Sequence, residues 1–310
     1  MAYYIEYMLN WRYRPGKSAD IGTIAHAALE IVAQIKLAKQ NRSRNAKTEI
    51  GKINVNKFDM NNIIDRTYAF YTSKPEYQNN VWTDKDLRDV RKYVNVVLTH
   101  NNEQFNPLKR NIISTEEYLK LEIKEPWAVL PNGDNFKVTG FIDLVTQIDE
   151  NSYEIIDYKT GKLNDFLTGQ EINETFLRND IQLRLYHLAV AEKFGCDKNY
   201  LLTMFFLKYS KPITIALSCD DIIETKEKIK KRFLEIFNTK IPKLNRTWKC
   251  TKFCNYGKNT FQDTSVLPII QFMDNGIARS GQNCTICDQV NLEINRRGPN
   301  WVEDNMVNPK

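Results

Sequence analysis

The chain is expected to fold as an α/β protein with a central mixed β-sheet flanked by helices. Three observations carry that expectation. An apolar helix pattern near the start precedes a series of strand patterns, at about 118–123, 136–143 and 153–159. Turn residues separate those strands. A second helix pattern, about 179–194, then stands between the third strand and a fourth, 201–209. Helix, three strands, helix, strand is the order of a layered α/β fold.

Each element follows from its residues. Pro15-Gly16 breaks the aromatic, basic start of the chain, and Ser18 or Asp20 can cap the helix predicted at about 19–40. Ile21, Ile24, Ala25, Ala28, Leu29, Val32 and Ile35 give that helix a buried face, with His26 beside it. Residues 41–60 carry Arg42, Arg44, Lys47, Lys52 and Lys57 among polar residues and read as an exposed connection. Two helices follow before residue 100, the second decorated by Lys85, Arg88, Arg91 and Lys92. The segment 41–110 is thus a helical insertion ahead of the sheet. Pro131-Asn132-Gly133-Asp134 suits a turn between the first two strands. In the helix at 179–194, Gln182 and Tyr186 are four residues apart and share a face, and Gly195 is a natural C-cap. Residues 212–217 pair as a hairpin with the fourth strand, and an amphipathic helix at about 220–237 closes the body. The domain expectation is 1–240 for the main body and 241–310 for a cysteine-containing extension.

The whole chain has 310 residues, 42% hydrophobic and 26% charged, in the range of ordinary soluble proteins. No apolar run reads as a bilayer span and no signal sequence opens the chain, so a cytoplasmic protein without a membrane partner is expected. The net charge of +6 suits a polyanionic partner without requiring one. Six cysteines in such a compartment argue against a disulfide framework. Cys250 and Cys254, with Cys284 and Cys287, form two close pairs that suit zinc or an iron–sulfur cluster. Cys196 and Cys219 read as bystanders.

The chemistry concentrates between 140 and 162, GFIDLVTQIDENSYEIIDYKTGK. Asp157 and Lys159 point the same way from one strand, and Asp143 lies on its neighbour. Two carboxylates beside a lysine are the parts of a hydrolytic magnesium site: hard oxygen ligands, and an ammonium for the water or the phosphate.

Taken together, four motifs in order resemble the PD-(D/E)XK nuclease superfamily, and within it the RecB-like exonuclease group, similar to AddB-like and CRISPR-associated adaptation nucleases. They are Gly22-Thr23-Ile24-Ala25-His26, Gly140-Phe141-Ile142-Asp143, Asp157-Tyr158-Lys159-Thr160-Gly161 and Gln182-Leu183-Arg184-Leu185-Tyr186. The resemblance implies a restriction-endonuclease-like core and a metal-dependent DNA exonuclease of low sequence specificity. It implies Mg2+ or Mn2+ held by His26, Asp143, Asp157 and the backbone carbonyl of Tyr158. Lys159 would act on the attacking water, with Gln182 and Tyr186 completing the site. Lys162 is a candidate phosphate contact, and Glu122 is read as structural, with assistance to a second metal as the alternative. The cysteine spacing departs from the family's pattern, since no cysteine precedes His26. A 4Fe-4S cluster or Zn2+ on Cys250, Cys254, Cys284 and Cys287 remains open on that basis. DNA ends, single- or double-stranded, are the implied substrate, in recombination, repair, replication or phage DNA processing. Alternatives are a CRISPR-adaptation-type nuclease, the nuclease subunit of a helicase–nuclease complex, or a non-catalytic DNA-binding subunit. No phosphate-cradling G-x4-GK[ST] loop is present, so a helicase would be a separate chain.

Overall fold

The computed structural model describes residues 8–9, 16–165, 169–239, 244–245, 250 and 285–306. It divides into two compact units, one of Pro15–Lys231 and one of Met1–Arg14 with Arg232–Lys310.

The larger unit opens with α1, Lys17–Gln40. Its N-cap is Gly16, with no capping side chain, so neither Ser18 nor Asp20 caps it as the sequence suggested. Asp20 instead lies buried in the first turn, accepting a hydrogen bond from Asn80 Nδ2 at 2.6 Å. Ile24, Ala28, Leu29, Ile31, Val32 and Ile35 are all buried. By length and composition alone α1 could cross a membrane, contrary to the sequence expectation, yet more than half of its apolar window is buried within the fold. Burying such side chains contributes about 1.5–3 kcal/mol each, which explains so apolar a helix in a protein core.

The region 41–60 is not a bare connection. It holds a two-stranded hairpin, β1 (Asn45–Thr48) and β2 (Gly51–Asn54). Ala46 and Ile53 pair across it and pack with Ile31, Ile35 and Ile63. The alternating residues Lys47 and Lys52 pair on the exposed side. Helices α2 (Met60–Ser73) and α3 (Asp84–Glu103) complete the insertion. Asp59 caps α2, and Thr83 with Asp86 forms a capping box on α3.

The sheet is five-stranded, in the spatial order of the sequence: β3 (Asn111–Glu122), β4 (Lys137–Asp149), β5 (Ser152–Lys159), β6 (Asn199–Phe206) and β7 (Lys211–Leu217). All neighbours are antiparallel except β5 and β6, which are parallel. A parallel pair needs a crossover. It is supplied by α4 (Glu174–Asn179) and α5 (Ile181–Phe194). On one side of the sheet Ile112, Leu144, Ile156, Tyr158 and Phe205 pack with α1 and α3. On the other, Leu119, Ile142, Val145, Ile155 and Leu202 pack with α5. This is the mixed α/β sandwich the sequence predicted, with β3 seven residues longer at its start than expected.

The helix α6, Cys219–Phe237, follows β7. Cys196 and Cys219 are not bystanders: they form a disulfide, with Cα atoms 5.4 Å apart. Sequence separation hid the pair, because the β6–β7 hairpin returns the start of α6 to the end of α5. In the smaller unit, α7 (Thr285–Arg297) and α8 (Pro299–Asn305) are described, with Val290, Ile294 and Val302 fully or nearly fully buried.

Candidate active site

The site forms where the ladder between β4 and β5 opens. Their pairing runs from Asp149 to Leu144, opposite Ile156, and goes no further toward the end of β5. Across β3 and β4 the side chains reveal the cause. Leu144 faces α1 and α3, while Ile142 faces α5. Residues two apart should share a face, so the strand pair must kink at Asp143 and its opposite number, Glu116. Glu116 indeed has φ 46°, a left-handed conformation unusual for a residue with a side chain. The kink leaves Glu116 and Asp143 both lining a pocket with His26 of α1. One ligating atom from each of His26, Glu116 and Asp143 lies within 4.8 Å of the others.

Asp143 is held at that point by its neighbours. Its Oδ2 accepts from the backbone N–H of Tyr158 at 2.7 Å, using an amide that the opened ladder no longer serves. Its backbone carbonyl accepts from Thr115 Oγ1 at 3.1 Å. His26 Nδ1 lies 3.4 Å from Asp143 Oδ2. Gly22, one turn before His26, lets α1 close onto Thr160 at the end of β5, where a Cβ would fall 2.4 Å from Thr160 Oγ1.

The second part of the site comes from β5 and α5. Asp157 is buried, and its Oδ2 lies 2.7 Å from Lys159 Nζ. Lys159 Nζ donates to Gln182 Oε1 at 2.9 Å. Gln182 Nε2 donates to Tyr186 Oη at 2.6 Å, and Tyr186 Oη donates to the carbonyl of Phe141 at 2.6 Å. This chain of bonds fixes the lysine from the helix side and ties α5 to β4 two residues from Asp143. Gln182 and Tyr186 are stacked along one helix face as their spacing required.

Electrostatics follow from the crowding of acids. Burial pushes the Glu116 carboxyl up, and the charges of Asp143 and Asp157 add to it, against His26. Glu30, one turn beyond His26 on α1, rises to about 7 through burial and the charges of Glu116, Glu49 and Asp143. Burial also raises Asp157, against the pull of Lys159. For His26, burial lowers proton affinity, but the hydrogen bond and charge of Asp143 outweigh it and the net shift is upward. Carboxyls that hold protons this strongly are short of positive charge. An imidazole nitrogen and two carboxylate oxygens at mutual reach form a donor set that suits Mg2+ or, with its nitrogen, Mn2+.

The predicted residues therefore fall into two adjoining groups. His26 and Asp143 come together, joined by Glu116, which the sequence reading missed. Asp157 adjoins both groups: its charge acts on His26 and Glu116, and its carboxylate pairs with Lys159 beside Gln182 and Tyr186. Nothing local in Thr115-Glu116-Glu117 announces which acid turns inward, since the choice depends on the kink. Glu122 lies six residues further along β3 and accepts from Asn135 Nδ2 at 3.1 Å, a structural position. Lys162 is exposed just beyond β5. Of the four C-terminal cysteines, Cys254 and Cys284 lie outside the described residues. Cys250 Sγ is 3.7 Å from the carbonyl of Asn245, and Cys287 is half-buried in α7.

The sequence pattern of the PD-(D/E)XK nuclease superfamily matches residues 1–258. The chain belongs to that superfamily, whose nucleases usually work with divalent metal ions. Among solved structures it is similar to a chain described as "Crystal structure of SSO0001", 16% identical, with 74% of this chain and 81% of that one covered and a TM-score of 0.29. Comparison with curated proteins finds no match.

Proposed function

We propose that the protein is a metal-dependent deoxyribonuclease of the RecB-like group that degrades DNA from its ends with little sequence specificity. The observation that carries this reading is the adjacency of two groups: the His26, Glu116 and Asp143 donor set, and a lysine held between Asp157 and Gln182. A binding module has no use for both.

His26, Glu116 and Asp143 would hold the ion, with Asp157 and the Tyr158 carbonyl as further candidate ligands. A bound Mg2+ or Mn2+ supplies an acidified water and positive charge for the phosphate. Lys159 has three donor hydrogens. Gln182 takes one of them and Asp157 pairs with the charge, which leaves donor capacity for a phosphate oxygen as negative charge grows on it. Gln182 and Tyr186 hold that ammonium in place, so the lysine meets the phosphate without reorganising. Water adds to phosphorus, the bond from phosphorus to the leaving sugar oxygen breaks, and that oxygen takes up a proton. Arg42, Arg44, Lys47, Lys52 and Lys57 are exposed on and around the β1–β2 hairpin, and they supply charge for a phosphate backbone. No recognition helix presents side chains for base-edge readout in the described residues, which supports low sequence specificity.

The test is cleavage of end-labelled linear and circular DNA with Mg2+, Mn2+ or EDTA, alongside Asp143→Asn and Lys159→Ala. Metal-dependent loss of linear DNA alone, absent in both variants, is expected. Cleavage of circles would replace the exonuclease reading by an endonuclease. Thermal unfolding gives a readout independent of turnover: Mn2+ should raise the Tm of wild type and of Lys159→Ala, but not of Asp143→Asn. Wild type that neither cleaves DNA nor gains stability from either ion would refute the proposal.

A further inference from the structure

Tyr118 and Phe141 are 55% and 54% exposed, although both lie in core strands of the sheet. They pair directly across β3 and β4, and their ring centroids are 5.3 Å apart. Large aromatic side chains on a core sheet are ordinarily covered, so an adjoining exposed pair asks for an occupant.

The kink described above fixes which way the rings face. Leu119 and Ile142 point toward α5, so Tyr118 and Phe141, one residue along, point to the opposite side of the sheet. That is the side of α1, and the side on which Glu116 and Asp143 meet His26. Tyr118 is two residues from Glu116 and Phe141 two from Asp143, roughly 7 Å along their strands. The same face carries two lysines, with Glu122 opposite the second of them. Lys120 and Lys137 continue the same face at two- and four-residue steps from the rings, and both are exposed. Neither has a carboxylate within ion-pair distance among the described residues. Aromatic rings interleaved with lysines, beside a phosphate-directed site, are what single-stranded nucleic acid recognises: bases stack on the rings while the backbone follows the charge. Inside a duplex both faces of a paired base are already stacked, so the rings have at most the outer face of a terminal pair to meet.

We propose that Tyr118 and Phe141 form a stacking platform for an unpaired base next to the phosphate at the His26, Glu116 and Asp143 cluster, and that the protein thereby selects single-stranded ends. The inference rests on the nuclease reading for the identity of its substrate. It assigns no chemistry to the rings: they position the strand. Phe141 is also coupled to the reactive groups through its backbone, since its carbonyl receives the Tyr186 hydroxyl.

The experiment compares wild type, Tyr118→Ala/Phe141→Ala and Tyr118→Phe by fluorescence anisotropy in EDTA, where no turnover occurs. The probes are a labelled single-stranded oligonucleotide, the same strand in duplex, and single strands carrying one abasic position stepped in from the end. The double alanine variant should lose about 30-fold in single-strand affinity, at the middle of the range for base–aromatic stacking. Duplex affinity should fall far less, and Tyr118→Phe should bind as wild type. One abasic position should weaken wild type and leave the alanine variant unaffected. Equal affinities of wild type and the alanine variant for single strands, or equal losses on single strand and duplex, overturn the platform. So does a wild type that self-associates through this face, with the alanine variant monomeric and unchanged in DNA affinity. The two readings separate cleanly. Cleavage by wild type with unaltered binding in the alanine variant removes the platform and keeps the nuclease. Ring-dependent binding without cleavage under any metal does the reverse.

Discussion

Replacing Gly22 by alanine should separate folding from function at this site. The added Cβ would lie 2.4 Å from Thr160 Oγ1, 3.4 Å from Thr160 Cβ and 3.5 Å from its Cγ2. Two effects on stability oppose each other. Alanine in place of glycine within a helix is worth about 1 kcal/mol. Driving Thr160 from its rotamer costs roughly 0.5–1.5 kcal/mol. The balance lies within about 1 kcal/mol of zero, a shift of about 2–4 °C in Tm. Function has no such compensation. Turning the hydroxyl aside still leaves two β-carbons in tight contact, so α1 must move by some tenths of an ångström from the end of β5. His26 rides on the next turn of α1, and Lys159 precedes Thr160, so the two halves of the site separate. Since 1 Å of misplacement can cost about 100-fold, a loss of about 10-fold in kcat is expected. Single-turnover cleavage of a saturating oligonucleotide measures it, alongside thermal unfolding. Adding Thr160→Ala removes the 2.4 Å clash and leaves only the 3.4 Å contact between β-carbons, so it should recover part of the rate. Full activity in Gly22→Ala, or no recovery in the double variant, would refute the reasoning.

His187 is fully buried on α5, with both ring nitrogens lacking a partner among the described residues, and burial lowers its pKa to about 4. The unfolded chain therefore takes up the proton first as pH falls, and stability is lost progressively from about pH 6.5 toward 4; at pH 5 the loss is about 2 kcal/mol. Denaturant titrations of His187→Leu should show a shallower decline between pH 7.5 and 5 than wild type, and parallel curves would contradict this. Arg110 is paired with Glu154, which lies buried on β5 and also accepts from Thr203 Oγ1. Arg110→Met leaves that carboxylate unpaired and should cost about 3–5 kcal/mol, whereas Arg110→Met with Glu154→Leu should recover most of it in chemical unfolding. Lys47 and Lys52 face each other across the exposed side of the hairpin. Lys52→Glu should stabilise the fold by about 0.2–1 kcal/mol. It should also weaken DNA binding and lower the slope of log affinity against log salt by about one or more, and an unchanged slope would remove the hairpin from the DNA contact.

Much of this architecture could be read before the structure, for identifiable reasons. The strands around Asp143 and Asp157 announce themselves because β-branched and aromatic residues alternate there and polar turns bound them. Gln182 and Tyr186 are legible because helical spacing fixes their common face. The residues that escaped depend on non-local geometry. Glu116 reaches the pocket only because its own backbone adopts a left-handed conformation opposite Asp143. The β1–β2 hairpin has four-residue strands with one buried side chain apiece, too little pattern to distinguish it from a polar loop. Cys196 and Cys219 are brought together by a hairpin whose register no local pattern encodes.

The opened ladder gives the site a built-in reporter. Within β-sheet an amide proton is guarded by a neighbouring strand, and its exchange with solvent reports unfolding of that strand. The proton on Tyr158 nitrogen is guarded instead by one side-chain oxygen, that of Asp143. Whatever draws negative charge from that oxygen, whether a proton or a cation, loosens the guard while the sheet stays intact. Exchange at this one amide should therefore track the charge state of the pocket, and the amides of Ile155 and Ile156 beside it should track only the fold.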